Sequence, residues 1–149
     1  MPRRRKKKIV RVVYPSAEPL PLRLAPLYAG HLQVFSDASQ KRQGGLAAVL
    51  FATPASEAVV KSRTVPIVGS NELELQAALF ALEQARLLFP KLPLALFSDN
   101  QDAVIRLNRC KTEGLAQDPE LQEMLRQTKV GDALVNASIC WIKGHGSCR

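Results

Sequence analysis

The feature that most constrains the fold is a short apolar run ending in Phe-Ser-Asp, which the sequence contains twice. Residues 32–35 lead into Asp37, and residues 94–97 lead into Asp99. Apolar runs of this length bounded by polar residues are typical of buried strands. A longer helical pattern separates the two runs, so the sequence predicts two strands that each end in an acid. If these strands are neighbours in one sheet, Asp37 and Asp99 lie side by side.

The other segments predict an α/β protein. Two further apolar runs follow the first strand closely, which indicates an antiparallel meander. Leucines and alanines then recur at helical spacing up to Pro90, and either Ser70 or Asn71 is suited to cap that helix. Asp118 before Pro119 marks another helix start. The expected elements are strands at 32–35, 46–52, 58–65, 94–97 and 137–143, and helices from about 71 to 89, from just after 99 to about 108, and from 119 to about 130.

Length and charge distinguish a tail from a single domain. The chain has 149 residues, enough for one domain with its own core. We assign residues 1–29 to a basic, proline-rich arm and residues 30–149 to the domain. Seven basic residues and no acidic one lie within residues 1–12, so most of the net charge of +8 belongs to the arm. Such a run favours nucleic-acid phosphates, with a merely solvated tail as the alternative.

Targeting signals and cysteines add weaker constraints. No apolar run approaches the roughly 20 residues of a membrane-spanning helix, and no secretory leader follows the basic run. We therefore expect a cytoplasmic protein with no membrane partner. The three cysteines, Cys110, Cys140 and Cys148, lack paired spacing and are interpreted as reduced thiols. A zinc site that joins them with His145 is the less favoured alternative.

Three acids form the candidate catalytic group. Asp37 and Asp99 end their strands, and Glu74 lies near the start of the long helix, from which it can reach between them. Clustered carboxylates repel one another unless cations lie among them, and hard oxygen ligands select Mg²⁺ or Mn²⁺. Taken singly, each residue has an ordinary structural alternative: a turn for the aspartates, and a favourable interaction with the helix dipole for Glu74.

Four motifs in this order resemble the ribonuclease H family, in particular its type 1 members. The motifs are VFSDAS at residues 34–39, NELELQAALFAL at 71–82, LFSDNQ at 96–101 and WIKGHG at 141–146. The resemblance begins near residue 31 and implies a ribonuclease H-like fold. In that fold a five-stranded mixed sheet in the order 3-2-1-4-5 is flanked by helices, which agrees with the predicted β-β-β-α-β-α-α-β succession.

The resemblance also implies an activity and a site. Members of the family hydrolyse the RNA strand of RNA/DNA hybrids with two divalent ions, Mg²⁺ or Mn²⁺, and leave 5′-phosphomonoesters without a small-molecule cofactor. By position, Asp37, Glu74 and Asp99 correspond to metal-binding catalytic acids, and His145 corresponds to the family's mobile histidine. Polar residues beside the acids correspond to contacts with the hybrid, although Asn71 has a helix cap and Ser39 a turn as its ordinary structural alternative. Contacts to the hybrid correspond to Ser39, Asn71, Asn100 and Gln101.

The family's pattern is incomplete in this sequence. In the family a fourth acid normally lies about ten residues beyond the histidine, whereas this sequence ends at Arg149, four residues after His145. A truncated chain, a ligand from another subunit or an altered geometry, and weak or lost activity are all open explanations, and the oligomeric state is open too. With one ligand fewer, we expect Mn²⁺ to support cleavage better than Mg²⁺, with His145 partly compensating.

Two other functions compete with a hybrid-specific endoribonuclease. The alternative from a different class is a catalytically impaired ribonuclease H-fold module that binds nucleic acid. A third is a resolvase-like or transposase-like nuclease of the same fold. The motifs around Glu74 and His145 favour the endoribonuclease over this third possibility.

Overall fold

Five strands, four α-helices and one 3-10 helix make up the part of the chain that the computed structural model describes, which is residues 25–53, 56–114 and 116–142. The 3-10 helix spans Ala25–Tyr28. The strands are β1 Leu32–Gln40, β2 Gly44–Phe51, β3 Val59–Val65, β4 Leu94–Ser98 and β5 Ser138–Trp141. The helices are α1 Ser70–Leu88, α2 Gln101–Glu113, α3 Pro119–Thr128 and α4 Gly131–Asn136.

The strands form one mixed sheet in the order β3-β2-β1-β4-β5, which confirms the expected α/β class and strand order. The two hairpins pair antiparallel, β1 with β2 and β2 with β3. The parallel pairs are β1 with β4 and β4 with β5. Parallel neighbours need a crossover connection, and α1 provides it between the meander and β4. This crossover places the carboxyl ends of β1 and β4 at the same edge of the sheet.

The helices cover one face of the sheet. Every buried residue of α1, α2, α3 and α4 belongs to a single core cluster that also includes strand residues such as Val34 and Leu96. Burial of one such aliphatic side chain contributes about 1.5–3 kcal/mol. The other face carries a second cluster, built from strand residues of β1, β2 and β4 together with Ile142. No helix of the described residues is long and apolar enough to cross a membrane.

Gly44 lies where the start of α1 packs closely on the sheet. A Cβ atom at this position would lie 2.8 Å from Cδ1 of Leu73 and 3.0 Å from Cγ2 of Val65. Without a side chain at position 44, Leu73 in the first turn of α1 packs closely on the start of β2. Glu74 follows Leu73 directly, so this close packing lies next to one of the three candidate acids.

Several element bounds differ from the sequence-based expectation. β1 continues through residues 37–40, because β2 pairs with it as far as Gln40. The prediction that Asp37 ends its strand is therefore wrong. The helix α2 runs on to Glu113, α3 stops at Thr128, and α4 was not expected. The fifth strand is shorter than predicted, at residues 138–141.

The start of α1 also differs from the prediction, whereas the start of α3 agrees with it. The N-cap of α1 is Gly69, and no side-chain hydrogen bond caps the helix, so the interpretation of Ser70 or Asn71 as the cap is wrong. At α3 the side chain of Asp118 accepts a hydrogen bond of 3.1 Å from the Leu121 backbone N–H, as expected for a cap.

Candidate active site

Three carboxylates converge at the edge where β1 and β4 part. Asp37, Glu74 and Asp99 each offer one oxygen, and these oxygens all lie within 4.8 Å of one another. Phe35 and Phe97 are the last parallel partners of β1 and β4, and both aspartates lie two residues beyond that pair. Asp37 lies in the part of β1 that pairs with β2 but no longer with β4, and its partner there is Ala47. The two Phe-Ser-Asp runs thus deliver their acids to one place.

The backbone around Asp99 is tied to β5. The indole Nε1 of Trp141 donates a hydrogen bond of 3.2 Å to the backbone carbonyl of Asp99. The backbone N–H of Ile142 donates to the Ser98 carbonyl at 3.0 Å. On the other side, the Asn100 backbone N–H donates to Oγ of Ser98 at 3.1 Å. These bonds fix the turn between β4 and α2, which carries the Asp99 carboxylate.

Glu74 is the member of the group with the most perturbed ionisation. Its pKa is raised from the ordinary 4.5 to about 8, mainly by burial and further by the charges of Asp37 and Asp99. Its Oε1 atom is shielded from solvent and has no hydrogen-bond partner among the described residues. Buried carboxylate oxygens are normally paired, so an orphaned one beside two other carboxylates requires an explanation.

The donor set fits a divalent cation. The three groups offer oxygen ligands only, which is the type that Mg²⁺ and Mn²⁺ prefer. A cation at this place would give the orphaned Glu74 oxygen a partner and would offset the repulsion that raises the pKa of Glu74. A bound metal would therefore relieve both the unpaired Glu74 oxygen and the charge repulsion among the three carboxylates. Asp37, Glu74 and Asp99 are the residues that would hold it.

Two of the polar residues expected to contact the hybrid are joined to each other. Nδ2 of Asn100 donates to Oδ1 of Asn71 at 3.3 Å, which connects the first turn of α1 with the start of α2. The other end of the Asn100 side chain caps α2, where Oδ1 accepts a hydrogen bond of 2.8 Å from the Ala103 backbone N–H. Sequence reasoning missed this cap, although an asparagine directly before a helix is a recognised start signal.

The remaining predicted residues are placed as follows. Ser39 lies in β1 opposite Gly45, where a Cβ would be 2.7 Å from its Oγ, so it does not close a turn. Gln101 is exposed at the first position of α2. His145 lies outside the described residues, and its assignment stays a prediction. Trp141 was part of a quoted motif but was given no role, since nothing in the sequence shows that its indole reaches Asp99.

Comparison with known proteins rests on structure alone. No protein-family model matches the chain, and no curated protein matches it either. Among solved structures, the ribonuclease H1 of the halophilic archaeon Halobacterium salinarum is 19% identical, with a TM-score of 0.56, and the match covers 80% of this chain and 91% of that one.

Two further solved structures extend the comparison. LC11 ribonuclease H1, isolated from compost by a metagenomic approach and solved in complex with an RNA/DNA hybrid, is 16% identical with a TM-score of 0.57 and coverage of 76% and 86%. The prototype foamy virus protease-reverse transcriptase is 17% identical with a TM-score of 0.57, and the match covers 77% of this chain and 18% of that chain. Together with the strand order and the gathered acids, these matches show that the chain has the ribonuclease H fold.

Proposed function

We propose that this chain is a divalent-metal-dependent endoribonuclease that hydrolyses the RNA strand of RNA/DNA hybrids. The observation that carries the proposal is the meeting of three carboxylate oxygens within 4.8 Å, from β1, α1 and the turn after β4. The fold supports the substrate class, because the similar LC11 ribonuclease H1 was solved with an RNA/DNA hybrid. The expected products are 5′-phosphomonoesters.

Each residue of the site has a distinct task in this proposal. When bound, two divalent ions supply an activated water and stabilise the leaving oxygen, which removes the need for a side-chain nucleophile. Asp37 in β1 and Asp99 just after β4 would hold the ions, and Glu74 would join them once its carboxyl group had lost its proton. His145 carries protons or assists product release. The linked amides of Asn71 and Asn100, with Ser39 and Gln101, face the hybrid's minor groove, where 2′-hydroxyls distinguish RNA from DNA.

A second candidate function is a nucleic-acid-binding module that does not cleave. The group found among the described residues contains three carboxylates, whereas the family has four, and this difference supports the non-cleaving module as a candidate. The basic run at residues 3–8 would serve either function by contacting phosphates without regard to sequence. Deleting residues 1–12 should then weaken hybrid binding and lower its salt dependence. Cytoplasmic location stays a prediction as well.

A cleavage assay decides between the two candidates. The substrates are end-labelled RNA/DNA hybrid, single-stranded RNA, double-stranded RNA and double-stranded DNA of one sequence, each with Mg²⁺, Mn²⁺ or a chelator. We expect cleavage of the hybrid RNA alone, dependent on metal, with Mn²⁺ more effective than Mg²⁺. Binding of the hybrid without cleavage in either metal would favour the binding module. Equal and robust rates in both metals would contradict the expected metal preference.

A further inference from the structure

The face of the sheet opposite the helices carries an apolar cluster that is almost fully buried. It spans β2, β1 and β4, which are about 4.8 Å apart, and continues into the residue after β5. None of its members is more than 2% exposed. The members are Phe35, Val49, Phe51, Ala95, Phe97 and Ile142.

The described residues supply only part of the cover that this burial requires. All buried residues of the four helices belong to the cluster on the other face. The partly buried apolar side chains of the described residues that pack against the second cluster are Tyr28, Ala58 and Cys140. Tyr28 lies edge-on against Phe97, with ring centroids 5.4 Å apart, and its hydroxyl is 3.0 Å from Sγ of Cys140. Three partly buried side chains are little cover for an apolar cluster that spans three strands.

Within this sequence, one segment outside the described residues is rich in apolar side chains that would add to this cover. Outside the described residues the chain offers 1–24, 54–55, 115 and 143–149. Residues 143–149 read KGHGSCR and carry no large apolar side chain, and the two internal gaps are too short. Residues 9–24 join the described chain three residues before Tyr28, which already lies on this face. Their large apolar side chains are Ile9, Val10, Val12, Val13, Tyr14, Leu20, Leu22 and Leu24.

We propose that residues 9–24 of this chain dock on the second face of the sheet and complete its apolar cluster. The segment takes the place that a helix layer has on the other face. Only the basic residues 3–8 then extend from the domain, and they are held close to it rather than at the end of a long free arm. The proposal does not depend on cleavage activity, so the two can fail separately.

Thiol labelling of the full-length chain tests the proposal. Cys140 is packed against the second cluster, and Cys110→Ser with Cys148→Ser leaves it as the only thiol. In this background, Val12→Asp with Leu22→Asp should speed the reaction of Cys140 with a thiol reagent about tenfold, because the charged residues dissociate the segment from the face. The same variant should bind more of a dye that fluoresces on apolar surface, and it should melt at lower temperature.

A matched control separates docking from charge. Lys6→Gln with Lys7→Gln changes the net charge by the same amount but lies outside the docking segment, and it should leave labelling, dye binding and melting unchanged. Unchanged labelling of Cys140 in the Val12→Asp, Leu22→Asp variant would overturn the proposal. So would labelling that accelerates on dilution of the parent, together with a dimer in light scattering, because a second copy would then cover the face.

Discussion

Two groups of acidic side chains in this domain differ in what balances their charge. At the start of α3, Nη2 of Arg106 lies 2.8 Å from Oδ1 of Asp118 and 2.8 Å from Oε1 of Glu120. Hydrogen bonds donated by this guanidinium hold the pKa of Asp118 below its ordinary value, and the same bonds to Asp118 raise the pKa of Arg106. Beside β1, burial and two neighbouring carboxylates raise the pKa of Glu74 to about 8.

The difference shows which carboxylates the chain uses for its own structure. Arg106 comes from α2 and Asp118 caps α3, so the first group joins two helices with a cation that the chain provides. In the second group a buried Glu74 oxygen has no partner within the described residues. The fold therefore keeps the second group at a cost in stability, which is the pattern expected of a site for an external cation.

The largest expected effect comes from removing one charge of the second group. Asp99→Asn should lower hybrid cleavage about a thousandfold or more in both metals, because the site loses a ligand charge and the stabilisation of developing charge that depends on it. Steady-state rates on a labelled hybrid measure this loss. Asp102→Asn is the matched control, since Asp102 is exposed on α2 and is not part of the group. A similar loss in both variants would contradict the assignment.

The ionisation of Glu74 should make the metal-free domain less stable as pH rises. The folded chain retains a proton to about pH 8 that the unfolded chain releases near its ordinary pKa of 4.5. The stabilisation is complete below the ordinary pKa and is lost as the pH rises through the pKa of the folded chain, and the loss is on the order of 5 kcal/mol. Glu74→Gln should flatten this dependence. Denaturant unfolding in a chelator between pH 5 and 9 measures the difference, and parallel curves for parent and variant would refute it.

Breaking the first group should affect stability but not the metal site. Arg106→Met leaves the partly buried Asp118 without its cation and should lower the free energy of unfolding by about 2 kcal/mol. Metal affinity, measured by calorimetry, should stay at the parent value. Arg126→Met is the control, because the ion pair of Arg126 with Glu123 is exposed and should matter little. A change in metal affinity in Arg106→Met would show that the two groups are coupled.

The smallest expected effect concerns the hydrogen bond that ties Asp99 to β5. Trp141→Phe keeps an aromatic ring but removes the donor to the Asp99 carbonyl, and it should weaken metal binding several-fold, or about 1 kcal/mol. Trp141 is the only tryptophan of the chain, so its fluorescence in the parent should change on titration with Mn²⁺ or Mg²⁺. That change should disappear in Asp99→Asn. If neither ion changes the fluorescence of Trp141, the indole and the metal site are independent.

Sequence patterns predicted the strands and helices that have a strong apolar periodicity. They missed segments whose structure depends on pairing with another strand or whose apolar pattern is weak. The apolar runs and the leucine spacing of α1 gave the sheet and its crossover, because burial decides both. The extension of β1 beyond Asp37 depends on pairing with β2, and its polar residues carry no apolar signal. The short α4 begins at Gly131 and has a single fully buried residue, Leu134, so its pattern is too weak to recognise.

The sequence predicted the three acids of the candidate site but not the side-chain contacts around them. Matching positions after two strands pointed to Asp37 and Asp99, and helix packing pointed to Glu74. The bond between Asn71 and Asn100 and the contact of Trp141 with Asp99 join segments far apart in the chain. Such contacts depend on side-chain geometry that periodicity does not encode, so they were found only in the structure.

The parallel pairing of β1 with β4 also determines when, during folding, the three carboxylates of the candidate site come together. Leu32 pairs with Leu94 across the meander and α1, which lie between them in the sequence, so the contact closes a long loop. The carboxylates are dispersed in the unfolded chain and gather when that loop closes. Divalent ions should therefore leave the folding rate almost unchanged and slow unfolding instead. The same residues that weaken the ion-free domain would make the ion-bound domain long-lived.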